Sequence, residues 1–131
     1  MKITVDTNVL IRAVVQDDAV QARVAAKAMR DATLVAVTLP CLCEFVWVLL
    51  RVYKLKSEDA ATAIRALLDV KNIEMNHAAV EAGLVLLDDG GDFADGIIAY
   101  EGNWLGADTF VSFDKNAVTL LKKQGQSARL L

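Results

Sequence analysis

An α/β sandwich with a mainly parallel central sheet is the fold class this sequence predicts, and three observations predict it. Short β-rich runs alternate along the chain with longer segments of helical apolar spacing. Two of those runs end on an aspartate, Asp6 and Asp114, and lead straight into helix-compatible sequence. The 131 residues are 55% hydrophobic and 24% charged, which suits one compact core over residues 1–131 and excludes a disordered chain.

The elements follow in order. Residues 2 to 6 read as a buried strand, and Asn8 to Gln16 as a short helix with Val9, Leu10, Ala13 and Val14 inward. Asp17 and Asp18 offer an N-cap for an Ala-rich helix to about Arg30, with Val20, Val24, Ala25 and Ala28 at helical spacing. Leu34 to Val37 is a short strand. Pro40 suits the first turn of a helix from Cys41 to about Tyr53, and Ser57 caps another from Glu58 to Val70. Ile73 to Met75 is a further short strand, and the helix from Ala78 to Leu87 stops near Gly90-Gly91. Asp92 restarts the chain as a helix, Phe93 to Leu105, which carries Ile97, Ile98 and Tyr100 and ends at Gly106. Thr109 to Phe113 is a strand closed by Asp114, Asn116 to Lys123 a final helix, and Ala128 to Leu131 an edge strand.

Composition narrows the function. A net charge of -3 argues against generic polyanion binding, yet the charge is segregated: residues 72–114 hold nine acids and no Lys or Arg. That pattern fits either a solvated acidic face or an acidic pocket awaiting a cation. No apolar run is long enough to span a membrane, and the amino terminus does not read as a secretory signal, so a cytoplasmic location is expected. Cys41 and Cys43 lie two apart in a helix and cannot pair with each other; they read as buried thiols, since nothing completes a zinc set. His77, the single histidine, reads as a cap or surface residue rather than a base.

Four carboxylates carry the chemistry. Parallel strands would put Asp6 and Asp114 at the same sheet edge, where ligands of open α/β folds gather. Glu44 is the single charge in the twelve-residue stretch Leu39 to Leu50, so it either reaches solvent or meets a cation. Asp92 and Asp95 share a helix face; Asp92 stands at the N-cap, while Asp95 is explained either by the helix dipole or as a ligand. Oxygen donors on separate elements suit Mg²⁺ or Mn²⁺ rather than zinc, and a cation would relieve their mutual repulsion. Ions so held polarise a phosphodiester and activate water, which makes phosphodiester hydrolysis the natural chemistry.

The ordered set Asp6-Thr7-Asn8-Val9-Leu10, Glu44 in an apolar helix, Asp95-Gly96-Ile97-Ile98-Ala99 and Ser112-Phe113-Asp114-Lys115 resembles the PIN domain, and more narrowly the VapC-type toxins of toxin-antitoxin pairs. The resemblance implies a PIN-like three-layer α/β/α sandwich. It implies that Asp6, Glu44, Asp95 and Asp114 are the metal-binding acids of an Mg²⁺- or Mn²⁺-dependent endoribonuclease, with one or two ions and no covalent enzyme intermediate. Asn8 matches the amide of the opening motif, and Ser112 the supporting hydroxyl. Asn116 stands where relatives carry another acid, so an orienting hydrogen bond is its expected role; Asp92 is an extra acid beside the pattern.

The same resemblance implies a structured RNA substrate, such as tRNA or rRNA, a cognate antitoxin and a homodimer. Arg12, Arg51, Lys54, Lys56 and Lys115 are candidates to attract the RNA backbone. Trp47, Tyr53 and Trp104 fit either core packing, the default, or a partner surface. A haloacid-dehalogenase-like phosphatase would need a second Asp where Asn8 stands, and a phosphoacceptor receiver would need an acidic pair after its first strand. A non-catalytic PIN-fold RNA- or protein-binding module is the remaining alternative.

Overall fold

The computed structural model describes residues 1–131, which fall into two compact units, Met1–Asn76 and His77–Leu131. No helix is long and apolar enough to cross a membrane.

The first unit comprises β1 (Lys2–Thr4), α1 (Thr7–Val15), α2 (Ala19–Asp31), β2 (Leu34–Ala36), α3 (Leu39–Arg51), α4 (Ser57–Leu68) and β3 (Ile73–Glu74). Its three strands pair in parallel in the order β1-β2-β3, with Ile3 opposite Val35 and Val35 opposite Ile73. Hydrogen bonds continue the pairing past the strand ends, from Val5 N–H to Ala36 O (3.3 Å) and from Val37 N–H to Glu74 O (3.0 Å). Parallel strands covered by helices bury their side chains, and Val35 on the central strand is fully buried with Leu10, Phe45, Leu49 and Ile64. Asn72 closes the entry to β3 by donating its side-chain amide to the carbonyls of Met29 and Ala32 at 2.8 and 3.0 Å.

The second unit comprises α5 (His77–Asp88), α6 (Phe93–Trp104), β4 (Phe110–Ser112), α7 (Lys115–Lys123) and β5 (Ala128–Leu130), with β4 and β5 parallel. Leu86, Ala99, Val118, Leu120, Leu121 and Ala128 form one hydrophobic cluster of this unit, with Phe110 packed against them. The helices α5 and α6 meet at glycine. A Cβ on Gly96 would stand 2.5 Å from the Ala82 carbonyl oxygen and 2.8 Å from the Gly83 Cα, so only hydrogen fits. This contact sets the depth at which the neighbouring Asp95 is held.

Every paired strand is parallel, and the seven helices alternate with strands as the sequence predicts. The strands form two separate sheets, however, so Asp6 after β1 and Asp114 after β4 do not share the one sheet edge expected of them; four further details differ. On α2 the buried stripe is Ala22, Ala25 and Met29, leaving Val20 and Val24 outward at 63% and 66% exposure. Two stripes of helical spacing exist in so Ala-rich a segment, and the smaller side chains allow the closer approach to neighbouring elements. On α1 the buried residues are Thr7, Leu10 and Ile11, with Val9, Ala13 and Val14 half-buried. The N-cap of α4 is Lys56 rather than Ser57, and the Asp59 carboxylate accepts the Lys56 N–H at 3.4 Å. Finally, Trp47 and Trp104 are not core residues: they are 58% and 76% exposed. Trp47 lies on the same outward stripe of α3 as Glu44 and Arg51, and Trp104 ends α6 with its indole N–H donated to the Tyr100 hydroxyl at 2.7 Å.

The glycine contact gives a direct test. Gly96→Ala should destabilise the protein by about 1–3 kcal/mol, the usual cost of forcing a group into a packed interface. Gly102→Ala, on the same helix with nothing within 4 Å of its added Cβ, should stabilise it by about 0.5–1 kcal/mol. Urea unfolding of both variants checks this; equal effects would reject the close-approach account.

Candidate active site

The candidate acids sit where chain geometry leaves helix N–H groups without partners. A helix cannot satisfy the amides of its own first turn, so an oxygen must be supplied there. Asp6 supplies it for α1: its Oδ1 accepts the Val9 N–H at 3.0 Å. Asp92 does the same for α6, with Oδ1 accepting the Ala94 N–H at 2.8 Å. Asp114 caps α7, its Oδ1 taking the N–H groups of Asn116 (2.9 Å) and Ala117 (3.2 Å). In all three, the cap engages Oδ1 and leaves Oδ2 to other partners. The helix dipole also steadies the negative charge.

In the first unit Asp6 and Glu44 both act on one thiol. Cys41, buried near the start of α3, is hydrogen-bonded to Thr7, the one buried polar side chain of the protein. Burial pushes the Cys41 thiol up from its ordinary pKa, and the negative charges of Asp6 and Glu44 push it further, against the opposing effect of Thr7. Glu44 itself is exposed on α3. Cys43 is half-buried, and neither cysteine forms a disulfide. His77 is an exposed first residue of α5.

In the second unit Asp95 stands one turn into α6, half-buried, and its pKa is raised above the ordinary carboxylate range. Burial is the largest cause, followed by the charges of Asp92 and Asp114. Three acids separated by up to 22 positions in sequence are therefore brought into one electrostatic cluster. Ser112 supports it: its Oγ accepts the Asp114 N–H at 2.9 Å and fixes the turn from β4 into α7. Asn116 orients the cluster twice, through its backbone bond to Asp114 and through its side-chain amide, which donates to the Gly90 carbonyl at 3.3 Å beside the Asp92 turn.

This donor set fits a hard divalent cation. The three acids of the second unit offer only carboxylate oxygen, Asp92 and Asp114 each keep an oxygen outside their caps, and Asp95 is strained by like charge that a cation would relieve. No three His, Cys, Asp or Glu side chains stand close enough together in this structure to form a metal-holding group.

The PIN domain profile matches residues 3–120 and runs continuously through both units. The chain belongs to the PIN domain family. No curated protein sequence is significantly similar to it. PIN domains are generally nucleases that act on RNA and use divalent metal ions, and a nuclease role is consistent with the acids described above. The mixed α/β architecture with parallel strands is consistent with a PIN-like α/β/α fold.

Some residues that shape this PIN domain gave no usable signal in sequence. Thr7 is buried against Cys41, although a Thr beside a strand end reads as surface. Arg12 is not a freely exposed cation: Nε donates to Gln21 Oε1 at 2.6 Å, and Nη1 to Asp17 Oδ1 at 3.1 Å and the Tyr53 hydroxyl at 3.3 Å. Tyr53 in turn donates to Asp17 Oδ2 at 2.9 Å, the main cause of the lowered Asp17 pKa. Only the fold brings these four residues together.

The acid cluster predicts a specific pH dependence. Because the folded pKa of Asp95 lies above the unfolded value, ionising it costs stability as pH rises through that window, and the cost is fully present at neutral pH. Asp95→Asn should therefore raise metal-free stability at pH 7 by about half a kcal/mol, the scale left after solvent screening. The advantage should shrink as pH falls into the ordinary carboxylate range. Thermal melts of both proteins between pH 4 and 8 in a chelator check it; a variant less stable at pH 7 would contradict the repulsion.

Proposed function

We propose that this PIN domain is a divalent-metal-dependent endoribonuclease whose metal-binding acids are Asp6, Glu44, Asp95 and Asp114, using Mg²⁺ or Mn²⁺. The observation that carries the reading is the raised Asp95 carboxyl beside Asp92 and Asp114 within a chain of this family. Fixed like charges cost stability, and a site that retains them is suited to a cation. One or two bound ions would polarise the scissile phosphodiester and lower the pKa of the attacking water.

The protein's own groups do the rest. Asp6 and Asp114 are held as helix caps, so each presents Oδ2 without rotating away, which lowers the reorganisation needed on binding. Ser112 and Asn116 are positioning residues that hold Asp114 and its turn. Asn8, exposed in the first turn of α1, and Asp92 lie beside the acids as supporting polar groups. Lys115, exposed one residue beyond Asp114, and Arg51, Lys54 and Lys56 supply cations for the RNA backbone.

In the same reading residues 1–131 act as one PIN domain, cytoplasmic and homodimeric, the toxin of a toxin-antitoxin pair that cleaves a structured RNA such as tRNA or rRNA. Exposed Trp47 and Trp104 are apolar surface suited to a dimer or antitoxin contact.

Asn is as good an N-cap as Asp, so Asp6→Asn and Asp114→Asn should fold with stability within about 0.5 kcal/mol of the parent. Both, and Asp95→Asn, should lose RNA cleavage by about a hundredfold or more in Mg²⁺ or Mn²⁺. Equal cleavage by parent and variants rejects the catalytic assignment. Independently, Mg²⁺ should raise the melting temperature of the parent more than that of Asp95→Asn. Growth arrest relieved by the neighbouring gene product tests the toxin role.

A further inference from the structure

Of several cavities, one adjoins the opening Asp6-Thr7-Asn8 motif. It lies in the first unit between α1 and α2, about 390 Å³ in volume, with Asp6 and Asn8 among its lining residues. We propose that this cavity binds a single unpaired nucleobase of the RNA; the identity of the ligand rests on the ribonuclease reading above.

Its walls are of two kinds. Val9, Val24 and Ala28 supply an apolar surface of short side chains, and Val24, turned outward on α2, forms a wall against which a flat ring can lie. Arg12 and Gln21 supply the polar edge. The Arg12 guanidinium is clamped at Nε by Gln21 and at Nη1 by Asp17 and Tyr53, leaving Nη2 outside these bonds. Gln21 accepts from Arg12 through Oε1, which turns its carboxamide so that Nε2 remains a donor. Rigid, planar donors beside an apolar wall suit the carbonyl and ring-nitrogen acceptors of a base, and RNA is read through such unstacked bases.

Two other occupants fit less well. A phosphate would gain little, because Asp17 already offsets the Arg12 charge at 3.1 Å and Asp6 lines the same space. An apolar peptide side chain would leave the Arg12 and Gln21 donors covered and unpaired. The volume falls at the lower end of the range of about 300–1,000 Å³ for small-molecule sites, as a base with its ribose requires.

The test is a titration of the full chain by NMR with the four nucleoside 5′-monophosphates, using ribose 5-phosphate as the probe without a base. At least one nucleotide should shift the signals of Gln21, Val24 and Ala28, and ribose 5-phosphate should not. Ala28→Leu, which fills the cavity from an exposed helical position, should weaken that binding about fivefold or more and raise KM for single-stranded RNA to a similar degree. Equal shifts with nucleotide and ribose 5-phosphate would make this a phosphate site and overturn the proposal. No shift with any nucleotide would also overturn it and leave the groove to a protein partner. Cleavage without nucleotide shifts sinks the pocket alone, whereas nucleotide shifts without cleavage sink the ribonuclease reading and leave the pocket.

Discussion

Helix amides without partners are the constraint on which the rest of this protein depends. Each of Asp6, Asp92 and Asp114 stands at the first turn of a helix and gives one oxygen to its N–H groups. The bonds do two things at once. They end the preceding strand or turn and start the helix, and they hold a carboxylate in a fixed orientation with a second oxygen to spare. Folding thus draws on the motif's own acids, so converting one of them to a residue that cannot cap would confound the loss of its charge with the loss of the cap. The amide isostere separates them, since it caps while lacking the charge.

Asp95 is the exception that gives the cluster its character. It caps nothing; its place is set by the contact of α5 and α6 at Gly96, where a Cβ would strike the backbone of Ala82 and Gly83. That close approach holds a carboxylate half-buried beside two others, and its raised pKa is the result. Such a site is less stable empty than it would be with an amide in place of the acid, a trade-off expected where stability is spent on function. The glycine after Asp95 is therefore as much a part of the site as the acid itself.

Much of this was legible in the sequence because caps and turns are local. Asp18 and Asp92 could be assigned as caps from the residues on either side, and Gly90 and Gly106 from the helices they follow, whereas Asp114 read as the end of a strand and in the structure also caps α7. Asn116, for which an orienting hydrogen bond was expected, bonds to Asp114 through its backbone N–H and to the Gly90 carbonyl through its side chain. Surface and core were harder to tell apart. Val20 and Val24 share the spacing of a buried stripe but face outward, and two tryptophans expected in the core are exposed, because helical period identifies a face without saying which neighbour covers it. Glu44 shows the same limit: its isolation in an apolar stretch did not reveal the outward stripe it shares with Trp47 and Arg51.

By itself, then, the sequence determined the α/β alternation, the capping acids, the family pattern and its set of carboxylates, since each is written in residues a few positions apart or in an ordered motif. Tertiary structure alone decided which acids share a field, how Arg12 is clamped by Asp17, Gln21 and Tyr53, and that a cavity opens beside Asp6 between α1 and α2. The physical reason is range. Hydrogen bonds within a turn follow from local spacing, whereas electrostatic coupling, desolvation and cavity shape depend on side chains that only packing brings within a few ångströms of one another.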